Sequence, residues 1–502
     1  MKLNKRNGGQ ILAESLYNHG INTIFMVPGE SYLAAIDGLY DYRNEIKLIT
    51  CRHESGAANM AEAYGKISKQ PGIVFVTRGP GACHASVGVH TAMQDSTPMI
   101  LFIGQITRKN KGKEAFQEVD YEKMFTPPFC KWVYEIKKTE EIPKVINKAF
   151  QLSLSGRPGP VVISLPEDML EEKIQYKPVK PEKIITICPK VKSIESVLNI
   201  LGESSKPLII VGGGDWDGKG AKDLVHFAEK NHIPIAVSFR RQALVNNNST
   251  SYVGDLSTSV DMNLVKYVKS ADLILVIGAR LGEMTTKGYT TITNNGNQKI
   301  IHIYPDSNEL GKVYAPLIGI KSNSSECAKI LRGKLIKNIT WKKWTKMGND
   351  NYIRYSTPSP YKTEPDMGKI MTYLKHTMPN NTIVTIDAGN FSGWIQRFWT
   401  FSEPLTQIAP TSGAMGYAIP AAIAAKIAKK HTQVIGFCGD GGFMMSSQEL
   451  ATANQYGIKP LIILINNSML GTIRMHQEIH FPRRIITTDL INPDFKLLAS
   501  SY

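Results

Sequence analysis

Val434-Ile435-Gly436-Phe437-Cys438-Gly439-Asp440-Gly441-Gly442, followed by Leu461-Ile462-Ile463-Leu464-Ile465-Asn466-Asn467, decides the reading of this chain. Each apolar run is short and uninterrupted, as expected of a strand buried in a parallel sheet. Gly439, Gly441 and Gly442 let the backbone turn tightly and approach a ligand. Ser446 and Glu449 have the spacing of a capping box, so the sequence predicts a helix from about Ser447. Gly457 stops that helix and Pro460 leads into the second strand. Asp440 and Asn467 then end neighbouring strands at the carboxyl edge of one sheet, where open α/β sheets bind ligands. A carboxylate, an amide oxygen and a backbone carbonyl suit Mg²⁺, which keeps its remaining positions for phosphate oxygens and water. A helix N-terminus adds amide donors for the same phosphates. An ordinary strand-helix-strand unit with a glycine turn would explain Gly439-Asp440-Gly441 alone, but not its pairing with Asn466-Asn467.

Working outward, a chain of 502 residues implies several domains. The first third alternates strands and helices, with strands at Thr23–Val27, Ile46–Thr50, Gly72–Val76 and Met99–Ile103. A Lys- and Pro-rich stretch over 171–192 reads as a linker. Strands at Leu208–Val211, Ile235–Ser238, Leu273–Ile277 and Ile300–Ile303 build a second unit. Its Gly212-Gly213-Gly214 lacks the full dinucleotide spacing. The third unit starts with the strand Ile383–Ile386. We therefore expect three doubly wound, parallel-sheet α/β domains, at 1–175, 192–338 and 365–502.

Composition narrows the function classes. The net charge of +16 comes from dispersed lysines without an aromatic-basic motif, so a solvated basic surface is expected rather than a nucleic-acid partner. No apolar run reaches the length of about 18 residues of a membrane span, and the basic N-terminus leads into no apolar signal core. The six cysteines are widely spaced with no Cys-x-x-Cys, which argues against structural zinc or a disulfide framework. A cytoplasmic protein without membrane partners is the expectation.

A second candidate element follows the strand Ile46–Thr50: His53-Glu54-Ser55-Gly56-Ala57-Ala58-Asn59-Met60-Ala61-Glu62-Ala63-Tyr64-Gly65. On its own, Glu54 could simply be a helix N-terminal acid stabilised by the macrodipole. In context, the segment resembles the one bearing the activating glutamate in thiamine-diphosphate enzymes of the acetohydroxyacid synthase and pyruvate oxidase group. Val27-Pro28-Gly29, Thr77-Arg78-Gly79-Pro80-Gly81-Ala82, Ala115-Phe116-Gln117-Glu118-Val119-Asp120 and Gly156-Arg157-Pro158-Gly159-Pro160-Val161 match the same group in order. So does Thr411-Ser412-Gly413-Ala414-Met415-Gly416-Tyr417. With the metal motif, these segments span nearly the whole chain.

The resemblance implies a pyrimidine-binding domain, a central Rossmann-like domain and a diphosphate-binding domain. It implies thiamine diphosphate and Mg²⁺ as cofactors. The thiazolium C2–H must lose its proton, the aminopyrimidine acts as the base, and a carboxyl group on its ring nitrogen stabilises the required tautomer. Glu54 matches that carboxyl, and Gln117 matches a residue near the active centre. Pro28, Gly29, Gly413, Gly439, Asp440, Gly441, Gly442 and Asn467 match cofactor contacts, and Met415 the bulky apolar residue between the two rings. Asp440, Asn467 and the carbonyl of Met469 match the metal ligands. In that group the glutamate and the metal motif come from different subunits, which implies a homodimer or homotetramer.

The implied reaction is decarboxylation of a pyruvate-like 2-oxo acid with carboligation to a carbonyl acceptor, as in acetolactate synthase. A decarboxylase or aldehyde-releasing lyase, and a non-catalytic assembly subunit, are the alternatives. Glu30 stands where those synthases carry a second glycine, Met284 where they carry an Arg, and His476 where they carry a Trp that shapes the acceptor pocket. Arg280 matches a flavin contact, whereas Gly254-Asp255-Leu256 replaces the usual His-Gly element, so FAD is left open. His84 and His90 read as helix-surface or core residues, with an acid/base role for His84 as the alternative. Asn492-Pro493-Asp494-Phe495 resembles a segment well before the group's C-terminus, so the last domain is expected to be incomplete.

Overall fold

A computed structural model describes residues 4–293, 298–359, 361 and 364–502. The chain folds as two compact units: one comprises Met1–Ile185, Ser412–His431 and Gly436–Tyr502, the other Thr186–Thr411 and Thr432–Ile435.

The first unit contains a six-stranded sheet in the order Lys47–Thr50, Thr23–Met26, Gly72–Val76, Met99–Gln105, Pro160–Pro166, Trp132–Glu135. Every neighbouring pair is parallel. Gly72–Val76 and Met99–Gln105 are buried along their whole length, which explains their unbroken apolar sequences. Because all strands run the same way, the loops after Met26, Thr50 and Val76 gather at one edge. The 171–192 stretch is only partly a linker. Lys173–Tyr176 pairs antiparallel with Asn4–Asn7; the first alternates, with Ile174 and Tyr176 toward the core, but over only four residues, and the second is polar.

The helix Ala418–Ala428 packs on Glu54–Ser68 within this unit. Their small residues, buried from Gly56 to Ala63 and from Ala418 to Ala425, allow close approach. A buried polar knot crosses this contact. Lys66 Nζ lies 3.0 Å from both Glu62 and Asp95, Thr97 Oγ1 donates to Glu62 at 2.7 Å, and the Tyr417 hydroxyl donates to the same carboxyl group. Glu62 and Asp95 are fully buried, and the Lys66 ammonium is paired with both. Lys66→Met is expected to destabilise the fold by roughly 3–5 kcal/mol, because it strands two buried acids. Urea denaturation checks this, and a loss below about 1 kcal/mol would contradict the pairing.

The second unit holds a six-stranded parallel sheet in the order Tyr252–Asp255, Ile235–Val237, Pro207–Val211, Leu273–Ile277, Lys299–Tyr304, Ile318–Lys321. Counted along the chain this is 3-2-1-4-5-6, the order of dinucleotide-binding sheets. Its core is a broad cluster of Ile, Leu and Val closed by the fully buried Trp216 and Trp341. Asp255 ends an edge strand and is half-buried, and it accepts a 2.5 Å hydrogen bond from Gln396 Nε2. Burial raises its pKa to about 7. An acid whose folded pKa is raised loses stability as pH climbs from its unfolded value through the folded one. Ionised Asp255 therefore costs up to roughly 4 kcal/mol above pH 7. Asp255→Asn is expected to raise the melting temperature at pH 8 and to leave it level or lower at pH 4, as read by thermal melts at both values. Among the described residues, no helix is long and apolar enough to cross a membrane.

Candidate active site

The loop after Thr50 carries Glu54 as the first residue of the helix Glu54–Ser68, with His53 as its N-cap. Glu449 fixes this loop. Its carboxylate, wholly buried, accepts the backbone N–H of Arg52 at 3.1 Å, the N–H of His53 at 2.9 Å and the hydroxyl of Thr452 at 2.7 Å. A Cβ on Gly56 would lie 2.4 Å from Glu449 Oε1, so only glycine admits this carboxylate. Burial raises the pKa of Glu449, and the hydrogen bonds from Thr452, Arg52 and His53 oppose that rise.

This corrects the capping-box reading. The helix runs from Glu449 to Gln455 with no side-chain cap, because Glu449 is occupied at the Glu54 loop. A short helix, Asp440–Met444, precedes it.

One further loop reaches Glu54, and two more pack against that loop. A Cβ on Gly81 would stand 3.4 Å from Glu54 Oε1 and 3.0 Å from Thr77 Cγ2. Gly29 is packed so that its Cβ would lie 2.4 Å from Thr77 Cβ, which sets the Pro28-Gly29 loop against the 77–81 loop. Ser31 Oγ meets Thr77 Oγ1 at 2.9 Å and accepts the N–H of Arg78. Gly79 has φ +62°, and a side chain there would strike Gln117 Cβ at 2.9 Å. The structure thus gathers Glu54, Gln117, Pro28 and Gly29 at the carboxyl edge of the first sheet. His84, on the first turns of the helix Pro80–Asp95, hydrogen-bonds Glu54 Oε2 through Nδ1 at 2.9 Å and stacks on His53 at 4.5 Å between ring centres. Burial, and then the nearby His84, lowers the pKa of His53.

A second cluster forms around Asp440. It follows the strand Val434–Gly439, starts the helix Asp440–Met444 and is only 2% exposed. Asn492 donates through Nδ2 to Asp440 Oδ2 at 2.7 Å and to Asn466 Oδ1 at 2.9 Å. Asn467 Oδ1 accepts the N–H of Met469 at 3.3 Å, and Met469 forms a bridge with Asp489. A Cβ on Gly441 would meet Leu470 Cδ2 at 3.0 Å and Met415 Cε at 3.1 Å, so Met415 lies against the glycine turn. Gly413 has φ +72° with open space around its would-be Cβ, and Ser412 beside it meets Thr91 Oγ1 at 3.1 Å.

The donor set of carboxylate, amide and carbonyl oxygens fits a hard cation such as Mg²⁺. The buried hydroxyls of Ser446 and Thr488 have no hydrogen-bond partner among the described residues. Both lie on segments flanking this cluster, which fits a polar ligand. Sequence reasoning missed Glu449 and Asn492 as contributors. Asn492 lies in the Asn-Pro-Asp-Phe segment, where its position before a proline was the available signal.

Three family models match the chain. They are the N-terminal TPP binding domain of thiamine pyrophosphate enzymes over residues 6–124, their central domain over 194–331 and their C-terminal TPP binding domain over 387–502. An acetolactate synthase large subunit from Lactococcus lactis subsp. lactis (strain IL1403) is 32% identical over 520 residues, covering 100% of this chain and 88% of that protein. The chain belongs to the thiamine pyrophosphate enzyme family. A probable acetolactate synthase large subunit from Methanocaldococcus jannaschii is also 32% identical, over 99% of this chain and 86% of its own length. The Escherichia coli (strain K12) acetolactate synthase isozyme 2 large subunit is 28% identical over 99% and 89%. As a member of the thiamine pyrophosphate enzymes, the chain is a thiamine-diphosphate-dependent, acetolactate synthase-like enzyme with an α/β fold of several parallel sheets.

The glycine loops of the second unit pack closely. At the point where its strand order reverses, a Cβ on Gly213 would lie 2.0 Å from the carbonyl of Gly278. Trp216 Nε1 donates to the carbonyl of Gly212 at 2.7 Å.

Proposed function

We propose that this enzyme decarboxylates a 2-oxo acid of the pyruvate class, using thiamine diphosphate and Mg²⁺, and joins the remaining fragment to a carbonyl acceptor. The observation that carries the reading is Glu54 held at the carboxyl edge of its sheet by the Glu449 clamp and the glycine loops. When bound, thiamine diphosphate supplies a carbon acid whose conjugate base attacks the 2-oxo group and takes up the electrons left by CO₂. Glu54 holds and shares the proton at the pyrimidine nitrogen. Asp440, Asn467 and the Met469 carbonyl hold Mg²⁺, and the turn Gly439 to Gly442 brings backbone amides toward the diphosphate. Pro28 and Gly29 shape the pyrimidine side, Gly413 and Met415 set the cofactor's bend, and Gln117 faces the substrate.

The same reading includes self-association as a dimer or tetramer. Phe116, beside Gln117, is 77% exposed, and Ile473, Ile479 and Phe481 are exposed near the metal cluster, as apolar surface awaiting a partner would be. Several relatives are named large subunits, which points to a second, smaller chain as a further partner.

The test is a product assay on the purified protein with pyruvate. CO₂ release should need both thiamine diphosphate and Mg²⁺, with acetolactate as the main product. Release of acetaldehyde in its place would favour the decarboxylase reading, which the exposed His476 in the acceptor region suits. No CO₂ from any small 2-oxo acid would overturn the proposal.

A further inference from the structure

We propose that His53, Glu54 and His84 form a second metal site, for a borderline divalent ion of the Zn²⁺ class, and that an ion there withholds Glu54 from the cofactor. The three side chains each offer a ligand atom, and these atoms lie within 4.8 Å of one another. His84 Nδ1 and Glu54 Oε2 already meet at 2.9 Å, and the two imidazoles stack at 4.5 Å. Zn–N bonds of about 2.1 Å require the set to draw inward slightly. His84 is 49% exposed and can turn, and its exposure gives an ion a path in from solvent.

The loop that carries two of the ligands is fixed by the Glu449 clamp, so the site is built on rigid backbone. In a neutral His84 with its proton on Nδ1, that N–H donates to Glu54. Moving that proton to Nε2 frees the Nδ1 lone pair for the ion with no change in charge. Two imidazoles and one carboxylate select Zn²⁺, Co²⁺ or Ni²⁺ over Mg²⁺, which prefers oxygen donors. The chain would therefore sort two ions: Mg²⁺ at the oxygen cluster around Asp440, and a nitrogen-seeking ion at Glu54.

The metal site stands on geometry alone, whereas its inhibitory effect rests on the role proposed for Glu54. The experiment separates the two. Co²⁺ is titrated into the full chain, saturated with Mg²⁺ and free of thiamine diphosphate, and its visible d–d absorption is recorded. Binding of about one ion per chain is expected, weakened at least tenfold in His84→Ala and in His53→Ala, and retained in Asp440→Ala. Absence of the band, or a band untouched by both histidine substitutions, overturns the site. A band lost only in Asp440→Ala overturns it too, because the ion then sits with the oxygen ligands. Thiamine diphosphate should in turn weaken Co²⁺ binding. If the histidine-dependent band persists unchanged at saturating cofactor, the metal site stands and the role of Glu54 falls.

Discussion

Glu54→Gln is expected to lower kcat by roughly 10²–10⁴-fold while thiamine diphosphate affinity stays within about tenfold of the parent. The amide keeps the size of the carboxyl group and can still accept a hydrogen bond, so the pocket between the Gly81 loop and His84 should survive. What it loses is the capacity to share a proton with the pyrimidine nitrogen. The backbone of the loop is held by Glu449 and not by Glu54, so the substitution should not loosen it. Steady-state CO₂ release gives kcat, and calorimetric titration gives the affinity. A mutant with more than about a tenth of parental kcat would place Glu54 outside the chemistry.

Asp440→Ala should act in the opposite sense and abolish cofactor binding. It deletes a carboxylate that is 2% exposed and faces the loop bearing Asn466 and Asn467. Without it the diphosphate meets protein with its counter-ion gone, and affinity should fall by on the order of a hundredfold or more. Asp440 also accepts from Asn492, so the loss of a structural hydrogen bond must be separated from the loss of a ligand. Asn492→Ala removes that bond and leaves the carboxylate. Calorimetry with thiamine diphosphate and Mg²⁺ should find Asn492→Ala within about tenfold of the parent and Asp440→Ala without measurable binding. Parental affinity in Asp440→Ala would show that the metal lies elsewhere.

What could be read from the sequence and what could not follow from how local each signal is. The strand Leu461–Ile465 has the bounds its apolar run predicts, and Gly72–Val76, Leu273–Ile277 and Ile383–Ile386 do likewise. Burial on both faces writes itself into consecutive residues of Gly72–Val76, Leu273–Ile277 and Ile383–Ile386, whereas Leu461–Ile465 has its predicted bounds but is a half-buried edge strand and not the fully buried one expected. The two-stranded pair Asn4–Asn7 and Lys173–Tyr176 is short, and its pairing joins residues too far apart in sequence to leave a local pattern. The same reason hides Glu449. Three residues after Ser446 it satisfies a local capping rule, yet its partners Arg52 and His53 lie nearly 400 positions away, and a buried carboxylate gains more from their amides than from a helix start. The turn at Gly439 to Gly442 that follows Val434–Gly439 was legible because a glycine turn after a strand is a local feature. Asn492, which holds Asp440, sits in a loop whose role appears only when the chain has folded back.

Exchange of the C2 proton of bound thiamine diphosphate for deuterium, followed by NMR, tests the central claim most directly. It reports proton removal alone, before any substrate, acceptor or product step. Fast exchange in the parent chain with Mg²⁺, and exchange slowed by roughly 10²-fold or more in Glu54→Gln at full cofactor occupancy, is the predicted result. Equal exchange rates in the two proteins would contradict the account, because the carboxyl group at the helix start would then have no part in activating the cofactor.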